Sequence, residues 1–253
     1  MEEIIQIVEY KDVDLSNAML IEAFPTVGLV SSIAGHFIID QLKLKEIGTI
    51  SSRFFMPAAV IHNGFPSPPV RICAGKRVCG PDDSCDQIVV IISEFMPSVD
   101  VIKPLGEAIL AWAKKKKCRF IVTLEGANVL EPKKLQTHGV ATTQKMKDLL
   151  KTYNIEETQE GMITGITGVL LYEGARLKRD VLCLLADAHT SYPDSRAAAS
   201  LVETLDKMLP GIKIDTEPLY KEADVIEQKI RAFIKQAQPT APTTSQLPSQ
   251  MYG

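Results

Sequence analysis

Short apolar runs alternate along the chain with stretches whose apolar residues recur every three or four positions. Ala18 to Ala23 (AMLIEA) is a β-type run that stops at Phe24-Pro25. Leu29, Val30, Ile33, Ala34, Phe37, Ile38 and Leu42 then repeat at helical spacing, which predicts a helix over Val27 to Leu42. Glu46 to Ser51, Ala59 to Ile61 and Val70 to Ala74 read as strands separated by turns rich in proline and glycine, Asn63-Gly64-Phe65-Pro66 and Pro68-Pro69. Gln87 to Ser93 (QIVVIIS) is continuously apolar, the pattern of a strand covered on both faces, and Arg119 to Glu125 and Asp180 to Ala186 read likewise. Helices are expected around Val101, Leu105, Ala108, Ile109 and Trp112, and over Ala141 to Tyr153, Gly165 to Leu177 and Ser195 to Met208, the last stopped by Pro210-Gly211. Such alternation predicts an α/β fold: a mainly parallel sheet covered by helices on both faces, a three-layer sandwich, with an antiparallel portion from Glu46 to Ala74.

The last helix, Leu219 to Ala237, carries Leu219, Ala223, Ile226, Ile230, Phe233 and Ala237 at spacings of four and three. Two readings stay open for this narrow seam: packing on the domain's own flank, or contact between copies. After Lys235 the chain changes character. Residues 236–253 (QAQPTAPTTSQLPSQMYG) carry no charged side chain and three prolines. They bury too little apolar surface to offset the entropy of ordering, so residues 1–235 are expected to form a single α/β domain and 236–253 a disordered tail.

Charge and composition narrow the classes of partner. The 253 residues hold 28 Lys and Arg against 31 Asp and Glu, a net charge of −3. Phosphate-backbone binding needs a concentrated positive surface. The only basic run, Lys114 to Lys117, sits where cations complement a helix's carboxyl end, so no nucleic-acid partner is expected. No apolar run approaches the ~20 residues of a membrane span. The acidic start Met1-Glu2-Glu3 is not that of a signal peptide, so a cytoplasmic chain without a membrane partner is expected. Five cysteines, Cys73, Cys79, Cys85, Cys118 and Cys183, read as thiols in that compartment. The first three are separated by five residues twice over, longer than zinc-ligand spacing, so neither metal nor cofactor is expected.

Candidate chemistry is sparse. Ser32, His36 and Asp40 look like a hydrolase triad, but three side chains stacked down one helix supply no oxyanion hole; a surface His36–Asp40 pair is the plainer reading. Asp187, His189, Ser191 and Asp194 follow the strand 180–186, at the carboxyl end where α/β folds bind ligands, and Glu94 and Glu125 end two other buried strands. That loop supports an alternative reading as a hydrolase or nucleosidase-like enzyme, against a structural one in which Asp194 or Ser195 caps the next helix. Gly161, Gly165 and Gly168 lack the dinucleotide spacing and fit close packing instead. The tail ends in Met251-Tyr252-Gly253, an apolar anchor, an amphipathic ring and a free carboxylate on an uncharged leash: the form of a docking peptide.

Two segments carry a family resemblance. IEAFPTVGLVSSIAGHFIIDQL (Ile21 to Leu42) resembles the opening signature of the proteasome assembly chaperone 2 family in its archaeal branch, and ITGITGVLLYEGARLKRDVLCLLADAHTSYPDSRAAASLVETL (Ile163 to Leu205) is similar to that family's second block. Ala23 and Ser31 stand where the family usually has glycine. The resemblance implies a non-enzymatic, ATP-independent homo-oligomer that assembles or activates the proteasome core particle. It also implies that Met251, Tyr252 and Gly253, matching a hydrophobic–tyrosine–any-residue ending, enter pockets between α subunits.

Overall fold

The computed structural model describes residues 4–62, 64–79, 85–128, 136–190, 192–209 and 211–224. In chain order the strands are β1 (Gln6–Glu9), β2 (Met19–Ala23), β3 (Lys45–Ser51), β4 (Val60–His62), β5 (Phe65–Ser67), β6 (Val70–Ala74), β7 (Val78–Cys79), β8 (Cys85–Asp86), β9 (Ile88–Ser93), β10 (Phe120–Asn128), β11 (Thr137–Ala141), β12 (Glu156–Glu157) and β13 (Val181–Ala188). The helices are α1 (Val30–Gln41), α2 (Val99–Lys115), α3 (Gln144–Thr152), α4 (Gly165–Arg176) and α5 (Ser195–Lys207), and a further helix starts at residue 217 and reaches residue 224.

Nine strands form one sheet in the order β1-β3-β6-β9-β2-β10-β13-β11-β12. The expected three-layer α/β architecture is present, and its sheet is mixed. The centre, β9-β2-β10-β13, is parallel. β1, β3 and β6 add antiparallel pairs on one side, as expected of the Glu46 to Ala74 stretch, and β11 adds one on the other. Alternation along the central strands divides the core in two. Met19, Ile21, Val90, Ile92, Val122, Leu124, Leu182 and Leu184 share one apolar cluster with Val30, Ala34 and Ile38 of α1 and Leu201 and Leu205 of α5. Leu20, Val89, Ile91, Ile121 and Val181 share the other with Val101, Leu105 and Ile109 of α2 and Ile166 and Leu170 of α4. Each fully buried aliphatic side chain contributes roughly 1.5–3 kcal/mol, which holds both helical layers on the sheet.

Two helix starts differ from their apolar periodicity. α1 begins at Val30 rather than Val27, because Gly28 and Leu29 have φ of 61° and 51° and Val27–Leu29 forms a short 3-10 turn. That turn lies close against the sheet. A Cβ on Gly28 would sit 2.7 Å from the carbonyl oxygen of His189, and one on Gly126 would sit 2.2 Å from that of Val27. α3 begins at Gln144 because the Thr143 hydroxyl accepts a hydrogen bond from the Met146 N–H, while Ala141 pairs with Leu182 as the last residue of β11.

The chain leaves the described residues at a defined place. Leu219 and Ala223 are buried, Leu219 in the cluster under α1 and α5, so the start of the last helix packs on the domain's own flank. Asp224 pairs with Arg196 in the first turn of α5, at the edge where the parallel strands end. Ile226, Ile230, Phe233 and Ala237 lie outside the described residues.

Candidate functional site

Alternation decides which candidate carboxylates meet. Glu22 of β2 and Glu125 of β10 lie on neighbouring parallel strands, with Glu22 in register with Thr123. Both point to the α4 face near the carboxyl ends of those strands. With Phe24, Pro25, Thr26, Val27, Met96 and residues 164–167 at the start of α4, they line a cavity of about 340 Å³. Glu22 is 1% exposed. Its Oε1 accepts from the Phe24 N–H at 3.1 Å and its Oε2 from the Thr167 hydroxyl at 3.3 Å. Burial, and then the charge of Glu125, push the Glu22 carboxyl up to about 8. Burial pushes Glu125 up to about 7, against a hydrogen bond from Thr167. The charge of Glu125 acts on Glu22, so the two titrate as a pair. Chemically this is a proton reservoir in a small, partly apolar cavity. Its hydroxyls belong to threonines, and that of Thr167 is held against the acid pair itself. Among the described residues, no group of three or more His, Cys, Asp or Glu is placed to hold a metal ion.

The remaining members of the expected enzyme loop are kept apart from this cavity. Asp194 is the N-cap of α5: its Oδ1 accepts from Ala197 N–H at 2.9 Å, its Oδ2 from His189 N–H at 3.0 Å, and its own N–H donates to Gly28 O at 2.8 Å. The structural reading of Asp194 therefore holds. His189 stacks on Tyr192 with ring centroids 4.8 Å apart. Next to that loop, Gly28, Leu29, Thr190, Tyr192 and Pro193 line a second cavity of about 370 Å³, which adjoins the first at Thr26 and Val27. Glu94 is drawn to the opposite layer, where His36 Nε2 lies 3.2 Å from its Oε2 and Arg71 pairs with its other oxygen. The hydrogen bond to His36 holds the Glu94 carboxyl below its ordinary range. His36 thus pairs with Glu94 and not with the expected Asp40, and the Ser32 hydroxyl is buried without a partner among the described residues. The structure does not assemble Glu94, Glu125, His189 and Asp194 into one site. Asp187 is on β13, and Ser191 lies outside the described residues.

Other candidates have structural roles. Lys116 pairs with Glu9 at 2.5 Å, and Trp112 Nε1 donates to the same carboxylate at 2.9 Å, tying β1 to α2. Burial works to raise Glu9, and these two hydrogen bonds hold it below its ordinary value nonetheless. Cys73, Cys118 and Cys183 are free thiols, raised by burial, Cys73 and Cys118 to about 11. Cys79 stands opposite Cys85 in the β7–β8 pair. A Cβ on Gly168 would sit 2.6 Å from Ile163 O, in keeping with the packing reading of the α4 glycines. The tail and its Met251, Tyr252 and Gly253 lie outside the described residues. Glu22 is the residue that sequence reasoning missed. The available signal was a lone charge inside the apolar run AMLIEA, which needs a partner or a raised pKa when buried.

Comparison with known proteins places this architecture. The PAC2 family model matches residues 20–234. Two proteins of Methanocaldococcus jannaschii are similar: the uncharacterized protein MJ0106, 32% identical over 236 residues that cover 93% of each chain, and MJ1210, 26% identical over 252 residues that cover 94% of each. Among solved structures, PbaA of Pyrococcus furiosus, an archaeal homolog of proteasome-assembly chaperone, is 29% identical over 92% of both chains with a TM-score of 0.79. PbaB of the same organism, an archaeal proteasome activator, shares the fold with a TM-score of 0.80, covering 92% of this chain and 99% of its own at 23% identity. A family match across 20–234, joined to the turn at Phe24-Pro25 and the Pro193-Asp194 cap that the two resembling segments contain, means that this chain belongs to the PAC2 family.

Proposed function

We propose that this protein is an ATP-independent assembly chaperone or activator of the proteasome core particle, acting by docking its tail between α subunits. The observation that carries the reading is the likeness, over 92% of both chains, to PbaA, a homolog of proteasome-assembly chaperone. In this reading Met251 supplies apolar burial, Tyr252 ring packing and a hydrogen bond, and Gly253 a carboxylate for a pocket lysine. The reading is non-enzymatic, and what supports it is that Asp194 and Glu94 are committed to a helix cap and to ion pairs, so that among the described residues neither is left for His189.

Three residues bury little surface, so one tail binds weakly, at about the micromolar level or worse. Homo-oligomerisation offsets this, because several tails on one particle raise affinity by roughly 10²–10⁴ through effective concentration. The eighteen residues 236–253, as a flexible coil, average roughly 23 Å end to end, and extended they reach ~56 Å. The test is the peptidase activity and subunit assembly of a purified archaeal core particle with the intact chain and with a variant lacking residues 251–253. Stimulation or faster assembly by the intact chain alone supports the reading. Equal effects from both chains, or none from either, overturn the docking role.

A further inference from the structure

At the opposite, amino edge of the sheet lies a cleft of about 860 Å³ that the reading above does not use. Its floor is apolar. Leu44, Ile47, Ala74, Ile88 and Ile212 line it and are each no more than 8% exposed. Among the described residues its rim is cationic: Lys11, Lys43, Lys45, Lys76 and Arg77 against a single carboxylate, Asp14. Five positive charges and one negative leave a local excess of +4 in a chain whose net charge is −3. Arg77 is engaged, pairing with Asp14 at 3.6 Å and donating to the Ser16 carbonyl. The side chains of the four lysines make no hydrogen bond or ion pair among the described residues.

A buried polar group also faces a deficit here. Gln87 lines the cleft and is 4% exposed. Its Nε2 donates to Gly75 O at 3.1 Å, while its Oε1 has no partner among the described residues. An orphaned buried acceptor costs ~1–3 kcal/mol, a cost that an occupant bearing a donor removes. The volume falls within the range of ligand pockets, roughly 300–1,000 Å³. An apolar floor under unpaired cations selects an apolar body with an anionic head, since a neutral amphiphile forgoes the rim and a cationic one is repelled by it.

We propose that this cleft is a binding site for small amphipathic anions, with the acyl chain on Leu44, Ile47, Ile88 and Ile212 and a carboxylate or phosphate head among Lys43, Lys45 and Lys76. The test is isothermal titration of the full chain, below micelle formation, with dodecanoate, dodecyl phosphate, dodecanol and dodecyltrimethylammonium. The two anions are expected to bind at least ~10-fold more tightly than the neutral and cationic chains, about 1.4 kcal/mol. The double variant Lys43→Glu, Lys45→Glu is expected to lose that preference at an unchanged unfolding midpoint, both side chains being exposed. Equal binding of all four chains, no binding of any, or an anion preference that survives the double variant overturns the proposal. Phosphatidylglycerol vesicles form the last arm. Vesicle binding without binding of the free anions assigns the patch to a membrane surface, and self-association abolished by the double variant, again without anion binding, assigns it to a second copy; either overturns the small-ligand site.

Discussion

Glu22 and Glu125 place two acids where water is largely absent, and the cost appears in the pH dependence of stability. Burial raises both above the ordinary 4.5, Glu22 to about 8 and Glu125 to about 7. The folded state therefore holds protons that the unfolded state has released, and stability falls as pH rises from about 4.5 to about 8. Below that window both states are protonated and nothing is lost. At about 1.4 kcal/mol per unit of pKa shift, the loss attributable to Glu22 is on the order of a few kcal/mol. Glu22→Gln keeps an acceptor for the Phe24 N–H, presents its NH2 to the Thr167 hydroxyl oxygen and cannot ionise. Urea unfolding at pH 5, 7 and 9 is expected to show a clearly flatter profile for that variant, and a slope equal to that of the parent contradicts the assignment. Gly126 makes a second residue-scale prediction. Its missing Cβ accommodates the Val27 carbonyl at a distance no side chain tolerates. Gly126→Ala is expected to cost about 1–3 kcal/mol, read as a lower melting temperature, and an unchanged one means the turn is not held where it is placed. Of this site only half was legible in the sequence. Glu125 was visible as the end of a buried strand, but its neighbour depends on β2 lying beside β10, an adjacency set by sheet order and not by local pattern. Glu94 was grouped with Glu125 because continuously apolar runs hide which face each position takes; alternation along β9 and β10 holds the two in different layers.

At the scale of elements, helix ends are the informative feature. Lys43, Lys117, Asn154 and Lys178 follow α1, α2, α3 and α4 with φ between 50° and 57°, the left-handed conformation that most often selects glycine after a helix. At Lys178 the next amide, Arg179 N–H, donates to Gly174 O at 2.8 Å and completes the turn. A non-glycine residue there carries a left-handed penalty of about 1 kcal/mol. Lys178→Gly is expected to stabilise the fold by a few tenths of a kcal/mol up to ~1 kcal/mol after the larger unfolded-state entropy of glycine is subtracted; thermal unfolding that shifts down contradicts the geometry. The central strands, with continuous apolar runs, and the helices with clear periodicity were legible to within a few residues. β11 (THGVA) was not, because a half-buried edge strand with a glycine has neither signal, and its last residue was absorbed into the helix that follows. β1 (QIVE) was missed for the same reason, as its apolar content is small and its place in the sheet comes from pairing with β3. β5 contains Pro66 within a turn-like sequence, and only its pairing with β4 makes it a strand.

For the whole molecule, the parallel centre sets up two unlike edges. The carboxyl edge carries the buried acid pair, the His189 loop and the pairing of Asp224 with α5. The amino edge carries the lysine-rimmed cleft. In the proposed account oligomerisation presents several tails to one ring of α subunits. A variant that is monomeric by sedimentation yet keeps residues 251–253 is therefore expected to bind the core particle at least ~100-fold more weakly than the parent; parent-like binding by such a monomer contradicts the multivalent account. The fold class was legible because alternation of buried strands with amphipathic helices leaves few packings. The lysine cleft was not legible, since Lys11, Lys43 and Lys76 are distant in sequence and meet only where β3, β6 and β9 share an edge.

The central claim is that a proteasome core particle is the partner and that the chain ending is the contact. Sedimentation of a purified archaeal core particle with the intact protein, with Tyr252→Ala and with a variant lacking residues 251–253 tests it most directly. The account predicts co-sedimentation of the intact chain, with loss of binding in both variants at unchanged secondary structure. Co-sedimentation of all three to the same extent, or of none, contradicts it.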